Sequence, residues 1–175
     1  DPEELADGCD SMRGFFNLDM KKFLDVIEIN TLGTVIPSRV FALDMIEVGH
    51  GNIVNFASMN TYRPLSRVPA YAMAKAGVSN FTQWLAVHFS KVGIRVNAIA
   101  PGFFSTQQNA KLLWNDDGTP TARTGKILAA TPMGRFGESK ELDGALLFLV
   151  NNEAAGFITG VVLPVDGGFS AYSGV

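Results

Sequence analysis

The segment SMNTYRPLSRVPAYAMAK, residues 58–75, sets a hydroxyl, a phenol and an ammonium within one short span. Tyr71 and Lys75 are four apart, so a helix opening here carries both on one face, one turn from each other. A free phenol, with a pKa of about 10, is a poor proton donor or acceptor at neutral pH. A cation within a few ångströms favours the phenolate, which makes Tyr71 a candidate general acid and base.

The flanks of this segment set the fold class. Before it, NIVNFAS is a short apolar run rich in β-branched and aromatic residues and reads as a buried strand ending at Ser58. After a loop from Met59 to Pro69, a long helix is expected from Ala70 to Val92, stopped by Gly93. IRVNAIA then reads as a second strand, broken by Pro101-Gly102. Strand, helix, strand at this spacing implies parallel strands joined by a right-handed crossover. The expectation is a single α/β domain over residues 1–175, a doubly wound parallel sheet of Rossmann type.

Further out, Asp19 opens a helix through MKKFLDVIEINTLGTVIPSRVFALDMIEVG, with Phe23, Ile27, Val35, Val40, Leu43 and Ile46 at helical spacing and Gly49 as its stop. Pro37 should kink it. Asp1 to Asn17, with Gly8 and Gly14 and no period, reads as a surface loop. From Phe103 to Pro132 the pattern dissolves around an apolar island at Leu112 to Trp114; a loop this long is usually functional and often a lid. Ser139 to Asn151 returns to helix, and VVLPVDGG closes as a last strand.

Composition excludes several function classes. With 14 Lys and Arg against 17 Asp and Glu, a formal charge of -3 and no basic stretch, nothing favours nucleic acid or an anionic membrane. Cys9, the single cysteine, cannot form an internal disulfide. No run is expected to approach a membrane span of about 18 apolar residues, and DPEELADGCD at the start does not read as a signal peptide. A cytoplasmic setting is therefore expected. His50 and His88 lack acidic or cysteine partners at ligand spacing, so no metal site is expected.

Laid out in order, these motifs resemble the short-chain dehydrogenase/reductase family. The resemblance rests on Asn30 in IEINTLGT, Ser58 in NIVNFAS, Tyr71 and Lys75 in YAMAK, Asn97 to Gly102 in NAIAPG, Thr106, PMGRFGE and VDGG. A YxxxK alone means little. A serine 13 residues before the tyrosine, an asparagine upstream and a Pro-Gly downstream together are specific. The phrases SMNTYRPL, SNFTQWLAVHF, GIRVNAIAPGFF, TPMGRFGE and AYSGV are similar to the family's D-mannonate oxidoreductase (fructuronate reductase) branch. The family's glycine-rich turn, its residue selecting NAD or NADP and its Asn-rich turn have no counterpart here. The chain thus reads as the C-terminal two thirds of such a fold, short of about a hundred residues, since each βαβ unit takes about thirty.

The resemblance implies an oxidoreductase passing a hydride between NAD or NADP, NAD favoured, and a sugar acid, with fructuronate and mannonate interconverted. Tyr71 would carry the proton, Lys75 would bond the nicotinamide ribose and supply a positive field, Ser58 would donate to the substrate oxygen, and Asn30 would hold a relay water. Pro101, Gly102, Phe104 and Thr106 would shape the nicotinamide pocket. For the substrate, Arg63 is the expected partner of the carboxylate, with Asn60 and Gln107 or Gln108 on hydroxyls. Phe81, Trp84, Leu85 and Phe89 add apolar bulk beyond what one sheet contact needs, and relatives build a four-helix interface there, so a homotetramer is implied. Alternatives are a same-family enzyme for another sugar, polyol or acyl ketone, or a non-catalytic scaffold if the chain truly starts at Asp1.

Overall fold

The computed structural model describes residues 15–106 and 110–174. The N-terminal loop reading therefore lies mostly outside the described residues, as do Cys9, Gln107 and Gln108. A 3-10 turn at Phe15–Asn17 leads into helix α1 (Met20–Val48). Asp19 caps it by accepting from the Lys21 and Lys22 amides, and Gly49, at φ 75°, ends it in the left-handed region that glycine tolerates. The helix runs unbroken through Pro37. Asn30, Thr31, Thr34 and Ser38 each bond the carbonyl four residues back, which satisfies them within the helix.

Strand β1 (Gly51–Phe56) follows, then a 3-10 turn at Met59–Thr61 capped by Ser58. The strand thus stops short of Ser58, which the sequence placed within it. Helix α2 (Pro69–His88) has proline in its first turn and ends before the expected Val92, because the chain turns at 89–93. Gly93 sits at φ 77°, and a Cβ there would lie 2.2 Å from the Gly49 carbonyl oxygen. Strand β2 (Ile94–Pro101) pairs in parallel with β1 and with β3 (Val162–Val165), giving the order β1-β2-β3. Between β2 and β3 lie short helices α3 (Ala110–Leu113) and α4 (Ala122–Ala129), a 3-10 turn at Ser139–Leu142, α5 (Asp143–Val150) and α6 (Asn152–Ala155). The α/β class with a parallel sheet is what the residues specified.

The core sits around β2, where Val96, Asn97, Ala98, Ile99 and Ala100 are fully buried. β1 was expected to be buried too, but most of it is only half covered. On α1 only Ser38 and Ala42 are buried. Contrary to the sequence expectation, α1 is long and apolar enough to cross a membrane by length and composition, with mean hydropathy 1.3 over its best window. An uninterrupted apolar run overlooks such a helix, because a few scattered charges interrupt the run while leaving the average high.

Candidate active site

Ser58 follows the C-terminal end of β1, Lys75 reaches that end through the Phe56 carbonyl, and Pro101-Gly102 closes β2; such strand ends are where open α/β sheets place their ligands. Ser58 leaves β1 in extended backbone, φ -164° and ψ 156°, and is 5% exposed. Its Oγ accepts from the Asn60 amide N–H at 3.2 Å and from Asn60 Nδ2 at 3.3 Å. A hydroxyl has two acceptor lone pairs and one proton. With both lone pairs occupied, the Ser58 proton is left to be given outward.

Asn60 itself is 5% exposed, and its Oδ1 accepts from the Leu65 amide at 2.9 Å. Each end of its carboxamide makes a bond within this turn, which fixes its orientation beside Ser58. Thr61 Oγ1 bonds the Lys75 carbonyl at 3.2 Å and Ser79 Oγ at 2.8 Å, which ties the Ser58 turn to the helix carrying Tyr71 and Lys75. Sequence reasoning missed Thr61 and Ser79. The available signal was polar Ser79 one turn after Lys75 in an apolar helix.

Tyr71 lies half-buried in the first turn of α2. The Lys75 ammonium stands 5.7 Å from the centre of its ring and donates to the Phe56 carbonyl at 2.7 Å. Burial pushes the Lys75 pKa below its usual value. Asn30 and Lys75 share the wall of a groove of about 500 Å3 between α1 and β1. Asn30 Nδ2 donates to the Val26 carbonyl at 2.9 Å, a local helical bond.

The Pro-Gly break is held by the chain itself. Gly102 donates to the Val165 carbonyl, and a Cβ on Gly102 would sit 2.6 Å from Asp166 Cα, so glycine is needed for packing. Asp166 in turn accepts from the Gly168 and Ser170 amides. Phe104 lays its ring where a Cβ of Gly137 would be, and Thr106 is exposed. Arg63 Nε donates to the Ser170 carbonyl at 3.1 Å, and the Tyr62 hydroxyl bonds the Val162 carbonyl. Arg63 therefore braces the C-terminal turn.

The donor set suits a nicotinamide ribose. Lys75 is a half-buried cation with three donors, of which the Phe56 carbonyl takes one, and no described ion pair includes it. Among the described residues no cluster of His, Cys, Asp or Glu could hold a metal.

The family model described as enoyl-(acyl carrier protein) reductase matches residues 7–170. An uncharacterized oxidoreductase of Haemophilus influenzae is 58% identical over 95% of this chain and 58% of its own length. The uncharacterized oxidoreductase UxuB of Bacillus subtilis is 50% identical over 99% of the chain and 61% of its own. Among solved structures, a proposed D-mannonate oxidoreductase from Haemophilus influenzae with bound NAD superposes with a TM-score of 0.89 at 58% identity, covering 96% of this chain and 60% of that one. A proposed 2-deoxy-D-gluconate 3-dehydrogenase from Agrobacterium tumefaciens with bound NADP gives 0.82 at 35% identity, covering 91% and 63%. The chain thus spans about three fifths of the length of these relatives.

Proposed function

The chain belongs to the short-chain dehydrogenase/reductase family, and on that premise we propose that it serves NAD(P)-dependent oxidoreduction of a sugar acid, interconverting mannonate and fructuronate with NAD preferred. The observation that carries this reading is the half-buried Lys75, whose ammonium lies 5.7 Å from the Tyr71 ring centre and donates to the Phe56 carbonyl, two residues before the buried Ser58. The sugar-acid class is supported by the names of the structural neighbours and the NAD preference by the nucleotide bound to the Haemophilus protein.

When bound, the nicotinamide takes the hydride from the carbinol carbon or returns it to the carbonyl carbon. In oxidation, Tyr71 Oη removes the hydroxyl proton; in reduction, it delivers a proton to the oxygen as the carbonyl bond opens. Ser58 donates to that same oxygen throughout and stabilises the charge that develops on it. Lys75 holds the ribose hydroxyls, and its positive field stabilises negative charge on Tyr71 Oη. Asn30, on the groove shared with Lys75, holds the water through which the proton reaches solvent. Pro101, Gly102, Phe104 and Thr106 line the nicotinamide side. The same reading includes a homotetramer, supported by apolar side chains that α1 and α2 leave exposed, among them Leu43, Trp84 and Val87.

The test follows NADH and NADPH absorbance with fructuronate and with neutral ketoses. Tyr71→Phe is expected to lower kcat/KM about 10²–10⁴-fold. Full activity in that variant overturns the mechanism, and absence of turnover by the unaltered protein favours the scaffold alternative.

A further inference from the structure

A cavity of about 360 Å3 opens beside the candidate active site. One wall is the segment ending at Val68, which links the Ser58 turn to the Tyr71 helix, and another is Phe103, directly after the Pro-Gly break. Phe103 meets Phe169 edge to face at 5.3 Å, and with Ile127, 7% exposed, these rings make an apolar floor. Arg123 and Lys126 enter from α4. They are three apart on that helix and so share a face. No carboxylate is among the lining residues described. In a chain of net charge -3, Arg123 and Lys126 side by side at a cavity with no acid among its described lining residues are a local reversal of sign.

Neither Arg123 nor Lys126 appears in a described ion pair or hydrogen bond to an acid; the pairs present are Lys22–Asp19, Arg135–Glu141 and Lys140–Glu138. Two neighbouring cations beside an apolar floor favour an anion that carries a short carbon chain. Resting on the sugar-acid reading above, we infer that Arg123 and Lys126 of α4 bind the carboxylate of the substrate, with Phe103 and Phe169 against its carbon chain. The specificity for an acid then lies on α4, in the long segment after β2. Arg63, by contrast, gives its Nε–H to the C-terminal turn.

The guanidinium of Arg123 offers paired N–H donors to a carboxylate, and Lys126 supplies a compact second charge. The reacting carbon of mannonate is separated from its carboxylate by three carbons. The site therefore reads the far end of the molecule while Ser58 and Tyr71 handle the near end.

The experiment compares Arg123→Gln, Lys126→Gln, the double variant and Lys126→Arg, all at exposed positions where folding is checked by thermal unfolding. KM for fructuronate should rise about 10- to 100-fold in each Gln variant, the range for losing a charge-assisted hydrogen bond, with kcat changed less than about twofold. KM for fructose should stay put, and Lys126→Arg should recover most of the loss. Arg63→Ala should instead affect both substrates alike. A parallel rise for both substrates in the α4 variants, or no rise, overturns the inference while leaving the oxidoreductase reading intact. Calorimetric binding of mannonate, against mannitol as neutral control, supplies a readout independent of turnover. Binding of mannonate that the double variant abolishes supports the subsite even in a protein without activity; binding that is absent or unchanged overturns it.

Discussion

The two edges of the sheet are built to opposite rules. β3 is four residues long and contains Pro164, which has no N–H to offer a further strand. β1 is six residues long, without proline or charge, and carries Ile53 and Val54. Gly51 and Ala57 direct their N–H groups to Gly93 and Ile99, so alternation turns Asn52, Val54 and Phe56 outward. Beside that edge lies the groove under α1, floored by apolar residues such as Ile29, Ile53 and Phe41. On β1 also stands Asn52 Oδ1, a buried acceptor with no partner among the described residues. The β3 edge is closed chemically, whereas the β1 edge keeps the hydrogen-bonding groups and the apolar shelf that another strand would use. The proton-handling residues stand between the two. Ser58 is braced by its buried neighbour Asn60, while Asn30 and Lys75 face the open groove.

The largest expected contrast between these sides comes from proline. Ala98 is fully buried on β2 and its N–H donates to the Val161 carbonyl at 2.8 Å, so Ala98→Pro removes a ladder bond in the core. It should prevent folding, since proline within an element costs about 3 kcal/mol or more. Val54→Pro, whose N–H faces away from β2, should leave a cooperative transition in circular dichroism. Equal loss in both variants would show that the outward edge is already engaged.

Glycine gives a smaller contrast with opposite signs. A Cβ at Gly102 meets Asp166 backbone at 2.6 Å, whereas one at Gly33, on the groove wall of α1, meets nothing within 4 Å. Gly102→Ala should destabilise by about 1–3 kcal/mol through overpacking. Gly33→Ala should stabilise by about 0.5–1 kcal/mol through helix propensity. Urea midpoints moving the same way in both would break the contrast.

What was legible in the sequence follows the range of the interaction. Tyr71, Lys75 and Ser58 could be nominated from sequence because a helix face and a strand end are local patterns. The role of Asn60 could not, since its carboxamide is committed by a bond to Leu65 and by the geometry of the Ser58 turn. Asn97 looked like part of a motif, yet its buried side chain clamps the Ile158 carbonyl and the Val161 amide, more than sixty residues on. Arg63 was chosen for its nearness to Ser58 in sequence, and its bond to the Ser170 carbonyl, 107 residues on, could not be read there. Arg123 and Lys126 went unnoticed because the pattern dissolves there, and only the fold brings α4 to the cavity that Phe103 lines. The half-covered state of β1 escaped for a related reason: an apolar strand sequence records what the strand can pack against, not which neighbour is beside it.

The smallest expected effect lies in the loops beyond β2 and β3, on the closed side. Arg135 grips Glu141 through two bonds of 2.7 Å, and Glu141 also accepts from the Glu138 amide at 2.8 Å. The Arg135 hydrogen bonds, and then that amide, hold the Glu141 pKa down from 4.5 to about 2. A carboxylate whose folded pKa is depressed contributes stability above its unfolded pKa and loses it as pH falls through the folded one. Glu141→Gln should therefore be less stable than the unaltered chain at neutral pH, and the gap should close as pH drops from 4.5 toward about 2. Both groups are solvent-exposed, so salt should shrink the gap as well. A gap that persists unchanged at pH 2 would mean that Glu141 acts through the shape of its turn rather than its charge, and the closed side would then owe nothing to this ion pair.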